Sequence, residues 1–246
     1  RENKMSNNKK KRRRKLSKVF ILLCLSFLVI LSCVLVFTLK SCGNKEGKIT
    51  IAVDAGHDAG HPGFTGIISE YEYTSKMSTV LAEKLKEDKN YKVILTHQID
   101  EDMPIAGRVD KAKDADIILT IHASSSSDTN ASNMHIISKP STLKGYSQSR
   151  KVTEKIAEKL ENSTACYAYY EPVNDAEFGV KYVDITDETK YDYETMELME
   201  AVDIPVVEID GMYVTSQSDV DTYMSDEKMN EVADKIVEAL KEVYGK

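Results

Sequence analysis

Apolar residues along this chain change their spacing several times, and each change marks an element. Val19–Leu39 is an uncharged, largely apolar run of 21 residues. As a helix rising 1.5 Å per residue it would span about 30 Å, the thickness of a bilayer's hydrocarbon core. Ile49–Val53 is a short β-branched run that predicts a strand. Tyr73, Met77, Leu81 and Leu85 recur every fourth position and mark one face of a helix. Tyr91–Thr96, Ile117–His122 and Met134–Ser138 read as further strands, and Val152, Ile156 and Leu160 as a second helix face. Val206–Ile209 reads as a buried strand, and Val232, Ile236, Leu240 and Val243 as a closing helix. Strands that alternate with helices predict the α/β class: a single layered domain over 49–246 with a mostly parallel or mixed central sheet flanked by helices. Residues 163–200 contain six tyrosines, show no period and receive no assignment.

Charge divides the chain in the same places. Residues 1–18 hold ten Lys or Arg and one acid, whereas the remaining 228 hold 23 basic and 39 acidic side chains. A basic segment directly before an apolar run is a topology signal. The organisation expected is therefore a cytoplasmic tail over 1–18, a transmembrane anchor over 19–39, a short tether over 40–48 and an extracytoplasmic domain. That makes a single-pass protein of the cell membrane. A cleaved signal peptide is the alternative, but it would carry a shorter apolar core and a small-residue cleavage site. The acidic domain argues against nucleic acid as a partner, because phosphate binding needs a basic face. Cys24 and Cys33 fall in the apolar run, and Cys42 and Cys166 are too far apart in sequence to suggest a metal knuckle or a disulfide framework.

In parallel α/β sheets functional groups gather beyond the carboxyl ends of the strands. Three candidates fall there: His57 just past the first strand, Glu70 just before the first long helix, and His122 at the end of the third strand. Singly, each has an ordinary reading, as a loop histidine, a carboxylate favoured by a helix dipole and a strand-end histidine. Together, two imidazoles and a carboxylate make a suitable ligand set for a catalytic zinc ion with one position left for water. Zinc lowers the pKa of such a water to about 7.

The motifs around these residues are recognisable as a set. Ile51-Ala52-Val53-Asp54-Ala55-Gly56-His57 with Pro62-Gly63 resembles the "DxGHGGxDPG" signature of the zinc-dependent N-acetylmuramoyl-L-alanine amidases. Ser69-Glu70-Tyr71-Glu72-Tyr73 resembles the glutamate that begins their first helix. Val93-Ile94-Leu95-Thr96 with Asp100 and Arg108 resembles "VxLTR…D…R", and Thr120-Ile121-His122-Ala123-Ser124 resembles "SIHAN". Pro205-Val206-Val207 through Tyr213-Val214-Thr215-Ser216 to Asp219 resembles "PaVLvExGFxSNxxD". The resemblance covers residue 49 to the C-terminus. It implies zinc held by His57, Glu70 and His122, a late carboxylate that moves the proton, and cleavage of the amide between N-acetylmuramic acid and L-alanine in peptidoglycan.

This chain departs from the pattern at several points. Counted from Pro205 the catalytic acid falls on Asp210, while Glu208 stands two residues earlier with a longer arm, so both remain candidates. His97 replaces the usual arginine, Ser124 and Ser216 replace asparagines, and Asp58, Ala59 and His61 occupy the region of the first signature's glycines. His61, His97 and His135 are assigned no role, and Glu70 is preferred to Glu72 because it stands at the helix entrance. The departures keep open an alternative function: an amidase-like domain that binds peptidoglycan, or regulates another cell-wall enzyme, without hydrolysis.

Overall fold

Eight strands and six helices are present in the computed structural model, which describes residues 47–98, 101–167, 170–175, 179–184 and 193–245. The strands are β1 Ile49–Ala55, β2 Tyr91–Leu95, β3 Ile117–Ser124, β4 Met134–Ser138, β5 Ser163–Tyr167, β6 Tyr170–Asp175, β7 Gly179–Asp184 and β8 Val206–Tyr213. The helices are α1 Glu70–Glu87, α2 Ile105–Ala112, α3 Tyr146–Lys159, α4 Tyr193–Ala201, α5 Gln217–Tyr223 and α6 Asp226–Tyr244. Six strands form one sheet in the order β2-β1-β3-β8-β4-β5, and β6 and β7 pair separately as an antiparallel hairpin. β2, β1, β3 and β8 run parallel, and β4 meets β8 antiparallel with β5 parallel to β4. The expected mixed sheet flanked by helices is the one found.

Alternation along the strands sorts side chains onto two faces. Ile51, Val53, Leu119, Ile121, Val207 and Ile209 pack with Tyr73, Met77, Leu81 and Leu85 of α1, with Val152 and Ile156 of α3, and with Val232, Ile236 and Leu240 of α6. Ala52, Ile118 and Val206 face the other way and pack with Ala112 of α2 and Leu198 and Met199 of α4. Toward the carboxyl ends of β1, β3 and β8 this second face turns polar, with Asp54, Thr120, His122, Glu208 and Asp210, all buried.

Caps explain where the two long helices start. Ser69 accepts a hydrogen bond from the Glu72 amide at 3.2 Å, and Ser225 does the same for Lys228 at 3.3 Å, each satisfying one orphan donor of a first turn. α2 is preceded by Pro104, which stands in extended backbone at the cap position and offers no side-chain hydrogen bond. The fully buried Lys139, just past β4, donates to the carbonyls of Val202 at 2.5 Å and Ile204 at 3.1 Å and fixes the approach to β8. The expected tail, anchor and all but the end of the tether lie outside the described residues, as do Cys24, Cys33 and Cys42. Among the described residues no helix is long and apolar enough to cross a membrane. Cys166 lies on β5.

Candidate metal centre

His57, Glu70 and His122 come together at the carboxyl ends of the parallel strands, although 65 positions separate the first from the last. Each offers one ligand atom, and these atoms all lie within 4.8 Å of one another. Glu70 Oε1 is 3.1 Å from His122 Nδ1, and Oε2 is 3.2 Å from His57 Nε2. The two imidazoles meet edge to face, centroids 5.3 Å apart. Two imidazoles and a carboxylate at this spacing suit a divalent metal ion.

The chain builds this convergence from backbone outward. Glu70 opens α1 and is fully buried, and its carboxylate accepts the Ala123 amide at 2.9 Å on Oε1 and the Phe64 amide at 3.0 Å on Oε2. Burial alone would push this carboxyl up, but hydrogen bonds with His122 and His57 outweigh it and hold the group below the usual carboxylate range. His57 adopts the left-handed region, φ 66°, a conformation that non-glycine residues adopt only where their surroundings hold them. Its carbonyl accepts from His97 Nε2 at 3.1 Å, and the neighbouring Gly56 carbonyl accepts from the Thr74 hydroxyl at 2.7 Å. Two glycines make room. A Cβ on Gly56 would lie 2.3 Å from the His122 ring, and one on Gly63, φ +69°, would lie 2.5 Å from both Glu70 Oε2 and the His57 ring.

Beneath the loop lies a buried polar knot. Asp54 accepts from the hydroxyls of Thr96 and, at 3.0 Å, Thr120, and faces Arg108 Nη1 at 3.7 Å. Arg108 also donates to the carbonyls of Ala55 and Met103 at 3.3 and 2.9 Å. The residues of the "DxGH" and "R" motifs thus meet as one network under the loop that carries His57. Burial pushes the His97 imidazole down, with Asp54 pulling the other way. Sequence reasoning gave His97 no part. The available signal was its place directly after β2, at the sheet end that carries His57.

Glu208 and Asp210 stand on the same face, as the two-residue spacing implies. Thr120 pairs with Glu208 in the β3–β8 register and His122 with Asp210. The two carboxyl side chains are hydrogen-bonded to each other, and Asp210 Oδ2 also accepts the Ser124 hydroxyl at 2.9 Å. β8 is regular from Val206 to Asp210. The irregularity falls beyond, between the His122–Asp210 and Ser124–Tyr213 pairs, so no bulge brings Glu208 forward. At the bend, a Cβ on Gly211 would lie 1.8 Å from the Tyr73 hydroxyl. Burial pushes the Asp210 carboxyl up and Glu70 adds to the rise, while His122, Ser124 and Glu208 oppose it.

The remaining candidates separate from the centre. Glu72 is exposed. His61 lies with Asp58 and Asp102 in a second group whose potential ligand atoms are within 4.8 Å of one another. There Asp58 Oδ1 accepts the amides of Gly60 and His61, both at 2.8 Å, closing a turn, and the His61 side chain is 80% exposed. Asp219 is the buried acceptor of the Tyr213 amide at 2.9 Å, which accounts for its place in the last motif. Of the six tyrosines, Tyr167, Tyr170 and Tyr182 lie on β5, β6 and β7 and Tyr193 opens α4, while Tyr169 and Tyr191 lie outside the described residues.

Among curated proteins none matches. Among solved structures, the catalytic domain of CwlV, an N-acetylmuramoyl-L-alanine amidase from Bacillus (Paenibacillus) polymyxa var. colistinus, superposes with TM-score 0.60 at 18% identity over 79% of this chain and 97% of that one. An N-acetylmuramoyl-L-alanine amidase from Clostridium difficile 630 gives 0.61 at 16% identity over 80% and 97%. AmiC2 of Nostoc punctiforme gives 0.60 at 17% over 81% and 99%. These likenesses show the fold. The sequence model of the family described as N-acetylmuramoyl-L-alanine amidase matches residues 51–242, a span that contains the three convergent ligand candidates, both late carboxylates and the polar knot beneath them, and the chain therefore belongs to the N-acetylmuramoyl-L-alanine amidase family of hydrolases.

Proposed function

We propose that this protein is a zinc-dependent amidase, anchored in the cell membrane through Val19–Leu39, that cuts the amide between the lactyl group of N-acetylmuramic acid and L-alanine in peptidoglycan. The observation that carries the reading is the convergence of His57, Glu70 and His122 on one point, with Asp210 paired to His122 on the neighbouring strand. His57, Glu70 and His122 hold the ion, the Ala123 and Phe64 amides fix the Glu70 carboxylate, and the His97 contact fixes the His57 loop. A zinc ion in this setting supplies a Lewis acid for the scissile carbonyl and makes water a nucleophile at neutral pH. Asp210 takes the proton from the attacking water and returns it to the leaving amine of alanine. Glu208, hydrogen-bonded behind it, orients Asp210 and offsets its shorter arm.

Purified full-length protein with zinc should release stem peptides with a free L-alanine amine from peptidoglycan, lose that activity to a chelator and regain it with added zinc. Uncut lactyl–alanine amides after zinc loading would sink the reading. The engagement of Asp210 by both Ser124 and Glu208 favours a second one, in which the domain holds zinc and wall peptide without turnover. Stoichiometric zinc together with intact substrate is its signature.

A further inference from the structure

Phe64 and Ile67 are 38% and 47% exposed, and they are the large apolar side chains that the described residues leave open to solvent. Both lie on the short segment between His57 and Glu70. A single exposed apolar residue means little, but two within four positions beside a candidate active centre mark a contact surface.

The segment that carries them is pinned. The Phe64 amide donates to Glu70 Oε2 at 3.0 Å, and the Glu70 amide returns a bond to the Phe64 carbonyl at 2.8 Å. The Tyr71 amide binds the Pro62 carbonyl at 3.1 Å, and the Ile67 amide binds the Val214 carbonyl, just past β8, at 2.8 Å. Thr65 and Ser69 form an isolated bridge. Gly66 approaches Val214 so closely that a Cβ would lie 2.5 Å from its carbonyl oxygen. The exposed pair is therefore held in a fixed place, and Phe64 is tied through its own amide to a carboxylate that faces both histidines.

We infer that Phe64 and Ile67 form an apolar rim of the substrate site that takes the methyl groups flanking the scissile amide. The inference rests on the amidase reading above. In that substrate the amide lies between a lactyl group and L-alanine, so a methyl stands on each side of the reacting carbon. An apolar contact there contributes binding without touching the proton chemistry, and its loss shows mainly in KM. It also discriminates alanine from glycine at the first peptide position, because glycine has no methyl to bury. One such group in an apolar pocket is worth roughly 10–200-fold in specificity.

The test compares full-length wild type, Phe64→Ala, Ile67→Ala and the double variant on two defined substrates, a muramoyl-L-alanyl tripeptide and its muramoyl-glycyl counterpart. The expected result is a drop of about tenfold in kcat/KM on the alanyl substrate for the double variant, carried by KM, with zinc content unchanged. The preference for alanine over glycine should fall with it, and Phe64→Leu with Ile67→Val should restore most of both. A wild type that cleaves the alanyl substrate, alongside a double variant with the same KM and the same alanine preference, overturns the rim while the amidase reading stands. A zinc-loaded wild type that cleaves neither substrate overturns the amidase reading and the rim together.

Discussion

His122 and Asp210 are register partners on adjacent parallel strands, so an imidazole of the candidate centre and a buried carboxyl stand side by side on one face of the sheet. Their strands are read more than eighty residues apart in sequence. The pairing gives Asp210, rather than Glu208, the place beside the candidate metal centre, and leaves Glu208 one row further from the strand ends.

Asp210→Asn is expected to lower turnover about a thousandfold with metal content intact, the scale of a lost general base. Glu208→Gln keeps a hydrogen-bonding partner for Asp210 and should cost about tenfold or less on the same scale. Steady-state kinetics of both zinc-loaded variants decide the matter. The reverse order of effects would move the proton role to Glu208.

Glu70→Ala should abolish metal binding and also destabilise the fold. The buried Ala123 amide would lose its acceptor, a loss of about 1–3 kcal/mol, and the part-buried Phe64 amide would lose its acceptor too. His57 sits in a loop and is only half-buried, so His57→Ala should lose metal with a smaller drop in melting temperature. Metal analysis and thermal melts of the two variants separate the effects.

Gly56→Ala and Gly63→Ala should each displace a ligand side chain, since the added methyl would stand where the His122 ring or the Glu70 carboxylate now lies. Gly63 also needs a positive φ, which adds roughly 1 kcal/mol of backbone strain for alanine. Circular dichroism should show the fold retained and metal titration should show weakened binding. Wild-type metal affinity in both variants would contradict the geometry.

Arg108→Met strands the Asp54 carboxyl in the interior. Removing one member of a buried ion pair costs about 3–5 kcal/mol, measurable by denaturant unfolding. Because both residues share one network, Asp54→Val combined with Arg108→Met should cost less than the two single changes added.

Lys139 provides a pH test away from the candidate metal centre. Burial pushes its ammonium from the ordinary 10.5 down to about 8, partly offset by Asp203. The folded value lies below the unfolded one, so between them the unfolded chain binds more protons. Stability therefore carries the full penalty below pH 8 and gains as pH rises from about 8 toward 10.5. Lys139→Met should flatten that rise in unfolding experiments run across this window.

The centre was legible because its three ligand candidates sit at element ends flanked by strong periodic signals. Three strands, β1, β3 and β8, outrun their apolar patterns. β3 continues through Ala123 and Ser124, and β8 through Asp210 to Tyr213, but the positions that face the centre are polar and end the apolar pattern that marks a strand. Functional demand thus hid structure at the place where function lies. α2 escaped notice because eight residues with few apolar positions give little period. Residues 163–200 proved to hold β5, the β6–β7 hairpin and α4, short pieces rich in tyrosine that suit more than one backbone. His97 and Lys139 act on carbonyls brought near by the fold, and no local pattern announces such partners.

β8 lies in the middle of the sheet, between β3 and β4, yet comes from the final fifth of the chain. Until that strand slots in, the two halves of the sheet have no common seam and Asp210 has no neighbour. Pairing across so long an intervening stretch makes closure a late and slow event. A copy interrupted before β8 would carry all three ligand candidates and still lack both late carboxylates, so the candidate centre is complete only once that strand has been made and has paired.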